Sequence, residues 1–202
     1  QWQHVVNQVQ KQHGACHGLI NNAGVSRLKP VEQLTIDDVK FLLRVNVEGM
    51  FLGIKHTLKA ISASGGGAII NISALNALRG SPNATAYCLA KAGTTHLARA
   101  AAAEAGEYNV RVNAVHPGVL FEEGDKPSPG AIALFGTEGA QRFVDHHIET
   151  TPLHRLGHPR DIGNAIVFLV SDAAKHVSGI SMVVDGGRMA GEFVHHGVAS
   201  RT

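Results

Sequence analysis

The sequence is poor in three kinds of residue that would mark particular protein classes. Of its 202 residues only 2 are cysteine, 5% are aromatic and 17% are charged, whereas soluble domains average about 25% charged residues. Cys16 and Cys88 are far apart and form no C-x-x-C, which argues against a disulfide framework and a cysteine zinc site. A reducing, cytoplasmic location is therefore expected. The net charge of +2 is too small to indicate a nucleic-acid or membrane surface.

Long hydrophobic runs are also missing. No stretch approaches the roughly 18 consecutive apolar residues that a membrane span needs. The first residues, Gln1–His4, show neither the basic nor the apolar region of a signal peptide. With 44% hydrophobic residues, the chain can fill one core. We expect a single globular domain over residues 1–202, with neither a membrane span nor a signal peptide.

Short apolar segments alternate with helical patterns along the chain. Strands are predicted at Gly18–Ile20, Ala68–Ser73, Val110–Val115 and Ile180–Val184. Helices are predicted from the Thr35 cap to about Ala63, over 85–106, near 138–149 and over 161–171. This alternation predicts an α/β fold with a doubly wound parallel sheet and helices on both faces, a three-layer αβα arrangement.

Tyr87 and Lys91 are the first residues that suggest chemistry. They stand four residues apart on a predicted helix, so they share one face. A free tyrosine has a pKa of about 10, and a nearby cation stabilises its phenolate form. The pair can therefore act as an acid or base near neutrality. This spacing alone is weak evidence, because exposed Tyr–Lys pairs are common on helices.

Polar or glycine-rich turns follow three of the predicted strands. Ser73 ends one strand, and Asn21–Gly24 and Pro117–Gly118 end two others. Taken singly, each is a helix cap or an ordinary turn. Ligands bind beyond the carboxyl ends of strands in open parallel sheets. Together, the three turns predict a ligand site at one edge of the sheet.

These segments resemble the short-chain dehydrogenase/reductase family. The motifs are Asn21-Asn22-Ala23-Gly24, Asn46 within Val45-Asn46-Val47, Ser73, Tyr87 with Lys91, Val112–Gly118 and Val184-Asp185-Gly186-Gly187. They cover the chain from residue 1 to about 187. The resemblance implies a Rossmann-like fold, an NAD or NADP cofactor, and hydride transfer between a secondary alcohol and a ketone.

The resemblance also implies a catalytic tetrad of Asn46, Ser73, Tyr87 and Lys91. Tyr87 would exchange a proton with the carbinol oxygen, which Ser73 would hold by a hydrogen bond. Lys91 would lower the pKa of Tyr87 and bind the nicotinamide ribose. Asn46 would hold a water of the proton relay. The alternative for Asn46 is a helix-interior asparagine that bonds its own backbone.

Further cofactor contacts follow from the same resemblance. They are the backbone of Asn21, Ala23 and Gly24 on the adenosine-ribose side, Pro117, Gly118 and Val119 at the nicotinamide, and Tyr87 with Lys91. The resemblance favours NAD over NADP. The residues that would discriminate the two belong to a segment that this chain does not contain.

The chain departs from the family pattern at two places. No G-x-x-x-G-x-G precedes Asn21, and there is no initiator methionine. The strands and helices expected there amount to about 60 residues. We therefore expect the sheet to lack its N-terminal strands and the strand before Asn21 to be a bare edge. A longer parent protein is one explanation, and a naturally shortened, inactive relative is the other. Secondly, Glu122 stands near the position where the family has a cofactor-contacting threonine.

The other reactive side chains indicate no second site. The 13 histidines suggest a metal at first, but adjacent pairs such as His146–His147 and His195–His196 point in different directions on a helix, so no metal is predicted. His116 is interpreted as a strand-end residue rather than an acid or base. Cys88 is interpreted as a small apolar helix residue rather than a reactive thiol.

Three functional interpretations remain open. The order His116-Pro117-Gly118 followed by Thr151–Gly157 resembles bacterial hydroxysteroid and cyclic-alcohol dehydrogenases, acting on a small-molecule alcohol or ketone. A 3-oxoacyl-carrier-protein reductase is the close alternative. A non-catalytic scaffold or binding protein of the same fold is the alternative from another class.

Two expectations concern assembly and substrate access. Small residues at Gly49, Gly53 and Ala100–Ala103 permit close approach of a second copy, and the resemblance implies a homodimer or homotetramer; the alternative is that these alanines only favour helix and pack on the sheet. Residues 120–153, with Gly124, Pro127, Pro129 and Gly136, cannot form one continuous helix. We expect this segment to be a mobile substrate lid, the alternative being a fixed surface excursion that packs on a neighbouring subunit.

Overall fold

The computed structural model describes residues 1–122 and 126–191. These residues divide into two compact units. The first contains Gln1–His116 and Ala165–Met182, and the second contains Pro117–Asn164 and the segment that begins at Val183.

A four-stranded sheet organises the fold. Its strands are β1 (Gly18–Asn21), β2 (Gly67–Ile72), β3 (Val110–Pro117) and β4 (Ser181–Val184), in the order β1-β2-β3-β4. β1 pairs with β2, and β2 with β3, in parallel. At β4, the Gly179 N–H donates to Val112 and the Ala114 N–H donates to Ile180, which continues the parallel arrangement. The predicted parallel sheet with flanking helices, a Rossmann-like αβα fold, is confirmed.

Four helices of the first unit surround this sheet, and two of them pack directly on its strands. The four are α1 (Trp2–His13), α2 (Ile36–Leu43), α3 (Gly49–Ala63) and α4 (Thr85–Ala105). α3 packs on β1 and β2, α4 packs on β2, and α1 packs on α3. Their buried apolar side chains form one core with the strands, and this core includes Ile54, Ile61, Ile69, Ala98, Val110 and Val112.

Local capping explains where two of these helices begin and end. The Thr35 side chain accepts a hydrogen bond from the Asp38 N–H (3.1 Å), and the Asp38 carboxylate accepts one from the Thr35 N–H (3.2 Å). This capping box starts α2, as the sequence predicts. Gly14, with φ of 76°, ends α1 in the left-handed conformation that glycine adopts without strain.

The predicted helix from Thr35 to Ala63 is not uniform. Between α2 and α3, residues Arg44–Glu48 form one turn of π-helix, which holds one residue more than an α-helical turn and occurs often at functional sites. Asn46 lies in the middle of this turn.

β1 lies at one edge of the sheet. Among residues 1–122 and 126–191, it pairs with β2 alone. This agrees with the expectation of a bare edge at the strand before Asn21. Ile20 on this strand is 39% exposed, so part of the strand's apolar surface is uncovered in this chain.

The second unit corrects one prediction. Helix α5 (Pro129–Glu149) starts well before residue 138, because the Ser128 side chain accepts from the Ala131 N–H (3.2 Å) and Pro129 stands in the first turn. The expected interruption is confirmed at Gly136, whose φ of 70° and ψ of 168° break the helix. Gly124, like the rest of 123–125, lies outside the described residues.

Helix α6 (Pro159–Val170) follows α5 along the chain, close to the predicted helix over 161–171. None of the helices within the described ranges is both long and apolar enough to cross a membrane.

Candidate active site

Tyr87 and Lys91 lie one turn apart on α4 and face each other. Tyr87 is half-buried, whereas the Lys91 side chain is almost fully enclosed. The Lys91 Nζ atom lies 5.8 Å from the centre of the Tyr87 ring and donates a hydrogen bond to the Ile72 carbonyl (2.9 Å). The end of β2 therefore positions the ammonium group on the side of α4 that carries the tyrosine.

Burial changes the pKa of both residues. The pKa of Lys91 is lowered to about 8 because its charged form is desolvated. Burial raises the pKa of Tyr87, and the neighbouring Cys88 adds to this increase. The expected lowering of the Tyr87 pKa by Lys91 is not found: burial and Cys88 both raise this pKa, and the Lys91 ammonium donates to the Ile72 carbonyl. At neutral pH the Tyr87 hydroxyl is protonated and can serve as a proton donor.

Ser73 follows β2 directly and is buried. Its hydroxyl lies 3.0 Å from the Lys91 carbonyl oxygen, to which it can donate, and 2.8 Å from the Thr95 hydroxyl. The Thr95 hydroxyl lies 3.0 Å from the same carbonyl. When Thr95 donates to Ser73, the Ser73 proton becomes available to another acceptor. Thr95 was not predicted from the motifs, although its position four residues after Lys91 places it on the same helix face.

Asn46 is fully buried in the π-helical turn and holds a loop of the site. Its side-chain amide donates to the carbonyls of Val25 (2.9 Å) and Leu42 (3.0 Å) and accepts from the Val25 N–H (3.1 Å). The bond to Leu42 is the local backbone bond that the sequence leaves open as the alternative. The two bonds to Val25 are not local, and they join the π-helical turn to the loop after β1.

Gly24, in the loop after β1, lies next to Asn46 and Lys91. A Cβ atom at Gly24 would lie 2.8 Å from Asn46 Oδ1 and 3.3 Å from Lys91 Nζ. A side chain here would therefore collide with the asparagine and crowd the ammonium. Gly24, Asn46 and Lys91 thus come together, and Ser73 joins them through the Lys91 carbonyl.

The other residues of the Asn21–Gly24 motif have different environments. The Asn21 side chain donates to Asn71 Oδ1 (2.9 Å) and to the Met50 carbonyl (3.3 Å), so it links β1 to β2 and α3. Ala23 and Gly24 are exposed. Their backbone is accessible to a ligand, whereas the Asn21 side chain has a structural role.

Asp38 anchors the same loop from α2. Its carboxylate accepts hydrogen bonds from the side chains of Lys29 (2.9 Å) and Arg27. Its pKa is held well below the usual range by Lys29, by the Thr35 N–H and by Arg27. The Lys29 N–H also donates to the Asn83 carbonyl (2.7 Å), just before α4. The loop is therefore fastened to α2, which leads into the π-helical turn of Asn46, and to the start of α4, which carries Tyr87.

Pro117, Gly118 and Val119 begin the second unit. The Gly118 N–H donates to the Val184 carbonyl, and the Gly157 N–H donates to the Val119 carbonyl, both at 2.9 Å. A Cβ atom at Gly118 would lie 2.9 Å from the Cα atom of Asp185, so this close approach requires glycine. Gly118 and Val119 line a cavity of about 800 Å³ within this unit. Glu122 is exposed.

Among the residues that the structure describes, no three His, Cys, Asp or Glu side chains come together as a possible metal site. His195 and His196 lie outside that range. His116 is a strand-end residue as expected, fully buried in β3.

A serine at the end of a parallel strand, followed along the chain by a tyrosine and a lysine one helical turn apart, is typical of one class of dehydrogenases. The family model described as enoyl-(acyl carrier protein) reductase matches residues 1–188. The chain belongs to this family of short-chain dehydrogenase/reductases, whose members are oxidoreductases that use NAD or NADP.

Several known proteins are similar to this chain. Cyclopentanol dehydrogenase of Comamonas sp. (strain NCIMB 9872) is 31% identical over 189 residues, which are 94% of this chain and 72% of that protein. The 3-alpha-(or 20-beta)-hydroxysteroid dehydrogenase of Mycobacterium tuberculosis (strain ATCC 25618 / H37Rv) is 32% identical over 191 residues, 95% of this chain and 67% of that protein. The ligand-free structure of Thermoplasma acidophilum aldohexose dehydrogenase has a TM-score of 0.86 at 24% identity, covers 96% of this chain and 76% of its own, and supports the fold.

Proposed function

We propose that the protein interconverts a secondary alcohol and a ketone with NAD or NADP, and that Tyr87 is its acid/base. The observation that carries this proposal is the meeting of Lys91, Ser73 and Asn46 beside Gly24, with Tyr87 one turn from Lys91 on the same helix. The names of the similar dehydrogenases support a secondary alcohol as the substrate class.

The residues present fit the ribose and nicotinamide side of such a cofactor. The Lys91 ammonium can donate to ribose hydroxyls. On the adenosine-ribose side, the exposed backbone of Ala23 and Gly24 allows close approach because Gly24 has no side chain. Bound NAD(P) supplies or accepts the hydride. The preference for NAD over NADP rests on family resemblance alone.

The chain's own residues divide the remaining work. The Tyr87 hydroxyl donates a proton to the ketone oxygen during reduction and takes it back during oxidation. When the Thr95 hydroxyl donates to Ser73, the Ser73 hydroxyl can donate its proton to the ketone oxygen. This hydrogen bond holds the ketone oxygen in place. Lys91 orients the cofactor ribose, and Asn46 keeps the Gly24 loop against Lys91. Both amide hydrogens of Asn46 are used by the Val25 and Leu42 carbonyls, so the relay water expected at Asn46 would have to donate to one of its oxygen atoms.

The substrate class has a second candidate. The matching family model is described by its acyl-carrier-protein chemistry, so a 3-oxoacyl thioester is the next substrate to test. Cyclopentanol, a hydroxysteroid and an acetoacetyl thioester, each with NAD or NADP, form a suitable panel. If none of them reacts, a non-catalytic protein of the same fold becomes the better interpretation.

Tyr87→Phe tests the mechanism, because it removes only the hydroxyl. We expect turnover to fall by about 10²–10⁴-fold, while the thermal midpoint and cofactor affinity remain close to those of the wild type. Absorbance of the reduced nicotinamide measures turnover. Tyr108→Phe is the matched control, since Tyr108 is the chain's other tyrosine and lies at the surface after α4. Retention of more than about a tenth of wild-type turnover by Tyr87→Phe would contradict the assignment.

We further propose that residues 120–153 form a lid over the substrate. Ile132, Phe135 and Leu153 are 38%, 44% and 63% exposed, which gives this segment apolar surface that an apolar substrate can cover. Gly136 divides α5 and supplies a point at which the segment can bend.

A homodimer or homotetramer is our proposal for the assembly. Gly53 does not support it, because a Cβ atom there would lie 2.5 Å from Asn21 Oδ1, so this glycine faces β1 inside the unit. Ala101 and Ala102 also pack against the core, as the alternative interpretation expects. Phe51 and Leu89 support association, since they leave apolar surface exposed on α3 and α4.

A further inference from the structure

The backbone pairing of β2 ends where the site begins. The regular register of β2 with β3 reaches Ile72 opposite Val115, and the Ser73 N–H still donates to the Val115 carbonyl (2.8 Å). The next residue, Ala74, is extended and leads into the short turn Leu75–Ala77. Without a further contact, Ser73 would stand at the last rung of the ladder, where strand ends fray.

The His116 side chain supplies such a contact. Its Nδ1 atom lies 3.0 Å from the Ala74 carbonyl oxygen. A carbonyl oxygen can only accept, so Nδ1 carries the hydrogen and Nε2 carries the lone pair. The Ala74 carbonyl also accepts from the Ala77 N–H (3.1 Å). His116 therefore extends the connection between β3 and the end of β2 by one residue beyond the backbone pairing.

The environment of His116 keeps its ring neutral and fixed. The side chain is fully buried, and burial lowers its pKa, so the imidazole is uncharged at neutral pH. Nε2 is buried and has no hydrogen-bond partner among the described residues. The ring thus has one committed donor, at Nδ1, and one unused acceptor.

We propose that His116 is a positioning residue for Ser73, acting through the bond from Nδ1 to the Ala74 carbonyl. The inference rests on the proposed catalytic role of Ser73. The Ser73 N–H is held by Val115 and the following carbonyl by His116, while the Ser73 hydroxyl contacts Thr95 and Lys91 on α4. The main chain around Ser73 is thus held by β3 and the Ser73 side chain by α4. Loosening either connection shifts the Ser73 hydroxyl. A displacement near 1 Å in a catalytic group can cost about 10²-fold in rate.

Two substitutions distinguish the roles of the two ring nitrogens of His116. In His116→Asn the amide nitrogen can occupy the place of Nδ1, and in His116→Gln it can occupy the place of Nε2. We expect His116→Asn to keep kcat within about threefold and His116→Gln to lower kcat by about 10- to 100-fold. The KM for the cofactor should change little in either variant. The opposite order, or full activity in both variants, would overturn the proposal.

A double mutant tests whether the effect passes through Ser73. In the Ser73→Ala background the positioned hydroxyl is gone, so adding His116→Gln should lower the residual kcat by no more than about twofold. If His116→Gln costs as much there as in the wild type, His116 acts independently of Ser73 and the proposal is wrong.

Two measurements do not depend on turnover. Nitrogen NMR of the wild-type protein should show His116 protonated at Nδ1 and not at Nε2, and the reverse tautomer would contradict the inference. Amide hydrogen exchange over residues 73–77 should be faster in His116→Gln than in the wild type and unchanged in His116→Asn. A wild type without turnover would refute the proposed function, and these two measurements would still decide the role of His116.

Discussion

Asn46 offers the sharpest test of how the site is held together. Its side chain makes three hydrogen bonds in a fully buried position, two to the Val25 backbone and one to the Leu42 carbonyl. Asn46→Ala removes all three and leaves three backbone groups to find other partners. At about 1–3 kcal/mol for each buried group left unpaired, with water reaching the loop side, we expect the free energy of unfolding to fall by about 2–4 kcal/mol.

Asn46→Asp has nearly the same shape but the wrong polarity. The nitrogen that donates to Val25 and Leu42 becomes an oxygen, so a carboxylate faces two carbonyl oxygens in a buried position. Burial of a charge that faces two carbonyl oxygens costs more than a missing hydrogen bond, and the nearby Lys91 ammonium, which donates to the Ile72 carbonyl, offsets only part of this cost. We therefore expect Asn46→Asp to destabilise the protein more than Asn46→Ala does, despite the smaller change in volume.

Urea unfolding followed by far-ultraviolet circular dichroism measures both variants. Asn7 on the exposed side of α1 is the matched control, because its side chain accepts a hydrogen bond from the surface residue Gln3 (3.0 Å) and lies away from the site. Asn7→Ala and Asn7→Asp should change stability by less than about 0.5 kcal/mol. If Asn46→Asp is as stable as the wild type, or more stable than Asn46→Ala, the hydrogen-bond assignment at Asn46 is wrong.

Three further predictions concern charge, mobility and assembly. The pKa of Lys91 is about 8 in the folded protein against 10.5 for the free group. Between pH 8 and 10.5 the unfolded chain therefore binds more protons than the folded one, and the free energy of unfolding rises with pH. Lys91→Met should flatten that rise in urea titrations, and an unchanged slope would contradict the lowered pKa of Lys91. Hydrogen exchange over residues 120–153 should slow when cofactor and a substrate analogue bind together, and equal exchange with and without them would refute the lid. Light scattering at micromolar concentration should give a dimer or tetramer, and Phe51→Lys should shift it toward monomer; a monomeric wild type would exclude the proposed assembly.

Local sequence determines much of this fold because the responsible interactions are short-ranged. The Thr35–Asp38 capping box involves neighbours in the chain, so its residue types predict the start of α2 directly. The sequence prediction placed the start of α5 too late. Ser128 and Pro129 carry a valid helix start, but the proline and glycine content of the surrounding segment indicated irregular structure instead.

The spacing of Tyr87 and Lys91, and the place of Ser73 after a strand, were visible in the sequence because the periods of helices and strands determine which residues share a face. Only the tertiary structure decided the electrostatics and the partners. Burial, which depends on the packed chain, raises the Tyr87 pKa although the sequence suggested the opposite. The bonds from Asn46 to Val25 and from His116 to Ala74 join residues 21 and 42 positions apart. Such contacts have no period along the chain. The His116 contact exists because β2 and β3 end at the same edge of the sheet, and the Asn46 contact exists because the loop after β1 meets the π-helical turn.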